Sequence, residues 1–240
     1  SIIALGPKPA RRYEMPSEYK NHQSSKSLNA SSGGQAILLG APKHSTPPAQ
    51  LFYKLDENSK WARFNIRFNN QGILKKIPPL KTLNFFSSIP IDEGTKPALK
   101  ISPLEPSSST LIFLTPTGNQ KSLWKNNPKF TIVPLTWSST GGTRILLINT
   151  SRQVVNILFS DGRKLSLKSG SQTRIDLKDI PKKNKITIVA KGVRDSKIAL
   201  QESIRNLPRI TKVYAFYNAA PMTNGGRTLG SFRAVYEIPN

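Results

Sequence analysis

Any catalysis in this 240-residue chain has to be built from a short list of side chains. There is no Cys, and the only His are His22 and His44. Without Cys there is no thiol nucleophile, thiolate zinc site, iron–sulfur cluster or disulfide. Two imidazoles do not make a three-histidine metal centre. The spacing S-x-x-K occurs at Ser122–Lys125 and Ser17–Lys20. On a helical turn it sets an amine beside a hydroxyl, as acyl-transfer enzymes need. Neither copy lies on a helical pattern and no S-D-N or K-T-G partner follows, so both read as chance matches. His22 and His44 sit in Ser- and Pro-rich stretches, with no G-x-S-x-G elbow and no H-E-x-x-H. Asp56-Glu57 and Asp92-Glu93 are adjacent carboxylates. Glycosidase pairs face each other across a cleft, whereas neighbours on a strand point apart, so both pairs read as turn residues. Asn29-Ala-Ser31 and Asn149-Thr-Ser151 match the N-glycosylation sequon. Gly225-Gly226 lacks the Lys-Ser/Thr ending of a phosphate-binding loop and reads as a hairpin loop. The expectation is a protein that is not an enzyme, with no cofactor and no metal site.

The chemistry that remains is charge. Lys+Arg number 36 against 13 Asp+Glu, a net +23. The excess is uneven: residues 120–240 carry 21 basic and 6 acidic groups, while residues 36–119 carry 10 and 5. Lys178, Lys182, Lys183 and Lys185 cluster around Pro181. Lys164 and Lys168 alternate with Leu165 and Leu167, which puts them on one outward face. Arg163, Lys164, Lys168 and Arg174 are expected to align across neighbouring strands into a stripe. Such a stripe attracts polyanions by releasing their counterions. The candidate partners are an anionic polymer (polysaccharide, lipopolysaccharide or nucleic acid) and an envelope protein. Lys and Arg also solubilise outer faces and protect strand edges. No RNP-type, KH or helix-turn-helix pattern accompanies the charge.

The elements that position these residues read as strands. Pro and Gly number 19 and 15, a density that leaves little room for long helices. Residues 1–35 form an expected flexible arm, broken by Pro7, Pro9 and Pro16 and rich in Ser, Asn and Gln. Ile2, Ile3 and Leu5 at its tip are able to dock as a short strand. From residue 36, short apolar runs alternate with turn residues. Ala36–Leu39, 50–55, 62–68, 82–86, 98–101 and 110–114 are expected strands, with Phe64, Ile66 and Phe68 on one face. Residues 123–139, with Pro128, Pro134, Trp124 and Trp137, read as a junction. Beyond it, 144–149, 153–159, 164–168, 173–177, 185–190, 212–217 and 230–238 continue the series. Asp161-Gly162 closes a hairpin in which both central residues are expected at positive φ. Residues 198–205 fit helix or strand, with strand favoured. Core candidates are Phe64, Ile66, Phe68, Leu111, Phe113, Ile145, Leu147, Val155, Ile157, Phe159, Leu165, Leu167, Ile186, Ile188, Val213 and Tyr214. Short strands at regular spacing argue for sandwiches. The fold expected is all-β: a first immunoglobulin-like β-sandwich module over 36–120 and a second, strongly basic one over 121–240. No stretch has the ~18 apolar residues of a transmembrane segment.

The run Arg144-Ile-Leu-Leu-Ile-Asn149-Thr-Ser151, then Val154–Phe159, then Leu165-Ser-Leu-Lys-Ser-Gly170, resembles a module of uncharacterised exported bacterial proteins with tandem β-sandwich domains. The Ala36–Leu55 opening with its Pro-rich loop is similar to the first module of such proteins. The resemblance implies a tandem fold and export, and the expected location is the periplasm, cell envelope or extracellular space. The sequence begins Ser1-Ile2-Ile3-Ala4 without Met, which a cleaved leader or a trimmed end would each explain. It implies no catalytic residues. The function expected is a structural, adhesive or binding role in the envelope, or polyanion binding by the basic second module.

Overall fold

A computed structural model describes residues 1–6, 47, 49–71, 82–92, 94–101, 109–117, 124, 128–136, 141–177, 185–195, 197–219 and 229–237. Its strands are β1 (Ile2–Ala4), β2 (Gln50–Tyr53), β3 (Ala62–Asn65), β4 (Arg67–Phe68), β5 (Leu83–Phe86), β6 (Leu99–Ile101), β7 (Ser109–Thr115) and β8 (Lys129–Leu135). They continue as β9 (Arg144–Asn149), β10 (Val155–Phe159), β11 (Lys164–Leu167), β12 (Gln172–Asp176), β13 (Lys185–Gly192), β14 (Leu200–Arg205), β15 (Ile210–Asn218) and β16 (Leu229–Glu237). No helix occurs among the described residues, and the ambiguous 198–205 segment is a strand. The expected strand Ala36–Leu39 lies outside the described residues.

The strands form two outer sheets, β3-β2-β5-β6 and β11-β10-β13-β14, and two inner sheets, β4-β1-β7-β8 and β12-β9-β15-β16. The strand order of β9–β16 repeats that of β1–β8 position for position. The chain is a tandem of β-sandwiches built twice on one plan. β8 pairs with β7 in antiparallel register, Thr110 opposite Pro134. The division expected near residue 120 thus falls inside the β7–β8 hairpin, and the second round of strands opens at Arg144. The 123–139 stretch read as a junction contains a strand. Its prolines misled because β8 is an edge, where a missing N–H is tolerated.

Three apolar clusters stack the sheets. The first lies between the first pair of sheets and holds Ile2, Ala4, Leu51, Tyr53, Phe64, Phe85, Ile112, Leu114 and Trp124. The third lies between the second pair and holds Ile145, Leu147, Val155, Ile157, Ile188, Tyr214 and Phe216. The cluster between them joins the two inner sheets through Ile3, Leu5, Leu111 and Phe113 on one side and Leu146, Ile148, Val213, Ala215 and Phe232 on the other. Neighbouring residues of β7 and of β9 therefore point into different cores. The central strands of the inner sheets, β1, β7, β9 and β15, are covered on both faces, and they carry continuous apolar runs for that reason, whereas the edge strands β4, β8, β12 and β16 keep exposed positions. Leu111, Phe113 and Val213 are core as expected, but in the central cluster; Ile66, Phe68 and Leu165 are only partly buried. Sheets stack ~10 Å apart, which sets the two outer faces ~30 Å from each other.

The Asp161-Gly162 hairpin forms, with Phe159 N–H donating to the Arg163 carbonyl at 3.0 Å. Only Gly162 takes positive φ, at 91°. Asp161 stays out of that region because its carboxylate accepts from the Arg163 N–H at 3.1 Å, an Asx-type turn.

Candidate functional site

The outer face of β11-β10-β13-β14 is where the sequence-predicted cations meet. In these strands every second residue enters the third core, so the intervening ones face solvent. On β13, Ile186, Ile188 and Ala190 are buried, leaving Lys185, Thr187, Val189 and Lys191 outward. Cross-strand partners share a face. Lys164 pairs with Leu158 and Ser166 with Asn156. Asn156 in turn faces Lys191, and Leu158 faces Val189. Lys185 lies opposite Arg205. Lys164, Lys185, Lys191 and Arg205 are therefore on one face, with exposed Lys168 just past the end of β11. Among the described residues of these strands, every outward charged side chain is a cation, and none of these five forms an ion pair. Glu202 of β14 points the other way, opposite Ile188. It bonds Lys212 Nζ at 2.5 Å and lies 3.8 Å from Arg233. This cluster ties the open side of the sandwich, and burial together with the Glu202 charge pushes the Tyr214 phenol up.

The expected stripe is otherwise divided. Arg163 is turned to Asp161, Nε to Oδ2 at 2.7 Å, and its guanidinium lies 5.1 Å from the Phe159 ring centroid. Its charge is thus neutralised beside the face. Arg174 belongs to β12, in the inner sheet, opposite Leu146. Leu146 lies in the central cluster, so Arg174 leaves on the side away from Lys164. The chain changes sheets at residues 168–171, and sequence adjacency of β11 and β12 does not become adjacency on one surface. Lys178, Lys182 and Lys183 lie outside the described residues. Lys191 and Arg205 were missed; the alternation Ile186, Ile188, Ala190 was the signal that places Lys185 and Lys191 together.

The same face has a depression. It is open-sided, about 850 Å³, and bordered by Leu158, Lys164, Val189, Lys191, Val193 and Ile198. Leu158, Val193 and Ile198 are 48, 60 and 46% exposed.

The other sequence motifs have structural roles where they are described. Asn149 is fully buried. Its amide donates to the carbonyls of Gln153 at 2.8 Å and Leu167 at 2.9 Å. Its Oδ1 accepts from Ser151 N–H at 3.0 Å and Oγ at 2.6 Å. All its hydrogen-bonding capacity is spent holding the β9–β10 turn, so this sequon offers no free amide. Asp56 lies in a turn, held below the usual carboxylate range by hydrogen bonds from Ser59. Asp92 accepts from Thr95 Oγ1 at 2.9 Å in another turn. Arg144 is held bidentately by Asp176 at 2.7 and 2.9 Å, which raises its pKa further, and reaches Thr136 Oγ1 at 2.8 Å. Both S-x-x-K copies, both His, Glu93, Asn29 and Gly225-Gly226 lie outside the described residues. Among the described residues no group of His, Asp and Glu gathers as a metal site, and no helix is long and apolar enough to cross a membrane. Neither a family model nor a curated protein matches the chain.

Proposed function

We propose that the protein is a non-enzymatic binding protein of the cell envelope or extracellular space, and that the outer face of β11-β10-β13-β14 holds its polyanionic partner. The observation that carries this reading is the charge on that face: Lys164, Lys185, Lys191 and Arg205 share it with no described carboxylate, and exposed Lys168 follows just past the end of β11. Cations set by backbone pairing keep a fixed pattern, with neighbouring strands ~4.8 Å apart. A polyanion laid across them releases its counterions, and affinity then falls steeply with salt. The resemblance to exported tandem-sandwich proteins supports the location, and a cysteine-free chain has no thiol to oxidise there.

Retention on a heparin column is the test. The wild-type chain is expected to bind at low salt and elute as salt rises. Lys164→Glu combined with Lys191→Glu is expected to elute at clearly lower salt. Arg174→Glu, on the opposite side, is expected to change elution little. No retention at low salt, or equal loss from all these substitutions, would count against the reading.

A further inference from the structure

The partner's chemistry is narrowed by what lies between the lysines. A face made only for a soluble polyanion has polar groups between its cations. Here Leu158, Val193 and Ile198 border one depression, and each is about half exposed. Lys164 and Lys191 stand on the same rim, with Asn156 and Ser166, joined at 2.8 Å, beside them. Among the described residues, no carboxylate lines the depression. Stacking platforms for nucleic acid present rings, whereas the outward residues of these strands include none, Phe159 being buried. Apolar side chains clustered on a surface and ringed by polar groups mark an interaction site. Lysines ringing apolar groups suit the boundary of a lipid layer. Their stems lie along hydrocarbon while their ammonium groups reach phosphate.

We propose that the outer face of β11-β10-β13-β14 docks on the surface of an anionic lipid layer. Lys164, Lys168 and Lys191 face the headgroup phosphates, and Leu158, Val193 and Ile198 enter the region of the upper acyl carbons. The proposal rests on the polyanion reading of the same face and names the partner. Charge brings the face to the layer, and apolar contact holds it there, so salt alone removes only part of the affinity.

Sedimentation with vesicles of phosphatidylglycerol and phosphatidylcholine in equal parts tests it, with pure phosphatidylcholine vesicles and a heparin column run in parallel. The wild-type chain is expected to bind the mixed vesicles and not the pure ones. Leu158→Ser with Val193→Ser is expected to weaken vesicle binding roughly tenfold or more while heparin retention stays unchanged. Both sites are solvent-exposed, and an unaltered thermal transition checks the fold. Lys164→Glu with Lys191→Glu is expected to weaken both. Heparin retention without vesicle binding, or vesicle binding indifferent to the Leu158/Val193 pair, would overturn the lipid proposal and leave the polyanion reading standing. Failure of the wild-type chain on both heparin and vesicles would overturn both.

Discussion

At the residue scale, the buried polar groups of this protein serve geometry. Asn149 replaces backbone partners in a turn where the strands cannot supply them. Tyr236 is the opposite case: it is 5% exposed, and its hydroxyl finds no hydrogen-bond partner among the described residues. Burial pushes its phenol from 10.0 up to about 12. The sign of the effect follows from linkage. Above its ordinary value the unfolded chain has lost a proton that the native state keeps, so stability present below pH 10 is lost as pH rises towards 12. Tyr214 is shifted in the same direction. Urea unfolding at neutral and alkaline pH is expected to show this loss, and Tyr236→Phe to reduce it. At neutral pH the same substitution is expected to add up to ~1 kcal/mol, because an unpaired buried hydroxyl is removed. An unchanged alkaline loss in the variant would show that Tyr236 does not titrate as described.

At the element scale, β1 has the most demanding position. Three residues long, it lies between β4 and β7 and runs parallel to both. Ile2 and Ala4 enter the first core, while Ile3 and Leu5 enter the central one. Asn69 fixes its end. At φ 49°, a conformation Asn tolerates better than most residues, it donates its N–H to the Ala4 carbonyl at 2.9 Å and its side-chain amide to that of Gly6 at 3.0 Å. The physical consequence is a large contrast between two isoleucines. Ile3→Ala, at a fully buried site, is expected to cost about 2–5 kcal/mol. Ile132→Ala on edge strand β8, where the side chain is 41% exposed, is expected to cost less than ~1 kcal/mol. Equal costs in denaturant unfolding would remove β1 from the core. Much of this was visible in the sequence. Alternation marked the outer strands, and apolar Ile2, Ile3 and Leu5 marked a docking tip. Which partner the tip takes was not visible, because both β4 and β7 are remote in sequence and parallel pairing leaves no local turn signal.

At the scale of the whole molecule, the central cluster makes one stack of two sandwiches. Equivalent strands supply both sides of it, β1, β7 and β8 against β9, β15 and β16, much as the two halves of an isologous dimer interface do. Phe113 meets Phe232 edge-on with ring centroids 5.6 Å apart. Polar ties surround the contact. Thr211 Oγ1 donates to the Thr136 carbonyl at 2.8 Å. Gln71 pairs with both backbone groups of Val235, at 2.8 and 3.3 Å, and so covers the free edge of β16. A core shared by both halves predicts cooperative unfolding. All three Trp lie at or before residue 137, so indole fluorescence follows the first half and far-UV circular dichroism follows both. The two signals are expected to superimpose in the wild-type chain. Ala215→Asp, which places a carboxylate in the central core, is expected to separate them. Separate transitions in the wild-type chain would mean that the halves unfold independently.

The sequence by itself determined the class of the fold, most of the strand series with β8 excepted, and the sign of the surface charge. These follow from period-two alternation, turn residues and composition, all of which are local or additive. It also carried an unused sign of the inner sheets. Leu111-Ile-Phe-Leu114 and Ile145-Leu-Leu-Ile148 are continuous apolar runs, which suit strands buried on both faces. Only the tertiary structure decided which charges share a surface. Lys164 and Arg174 are ten residues apart, yet a change of sheet sends them to opposite sides, while Lys164 and Lys191 come together through β10. Strand order depends on long-range pairing, and one chain's residue pattern records the faces of its strands without recording their neighbours.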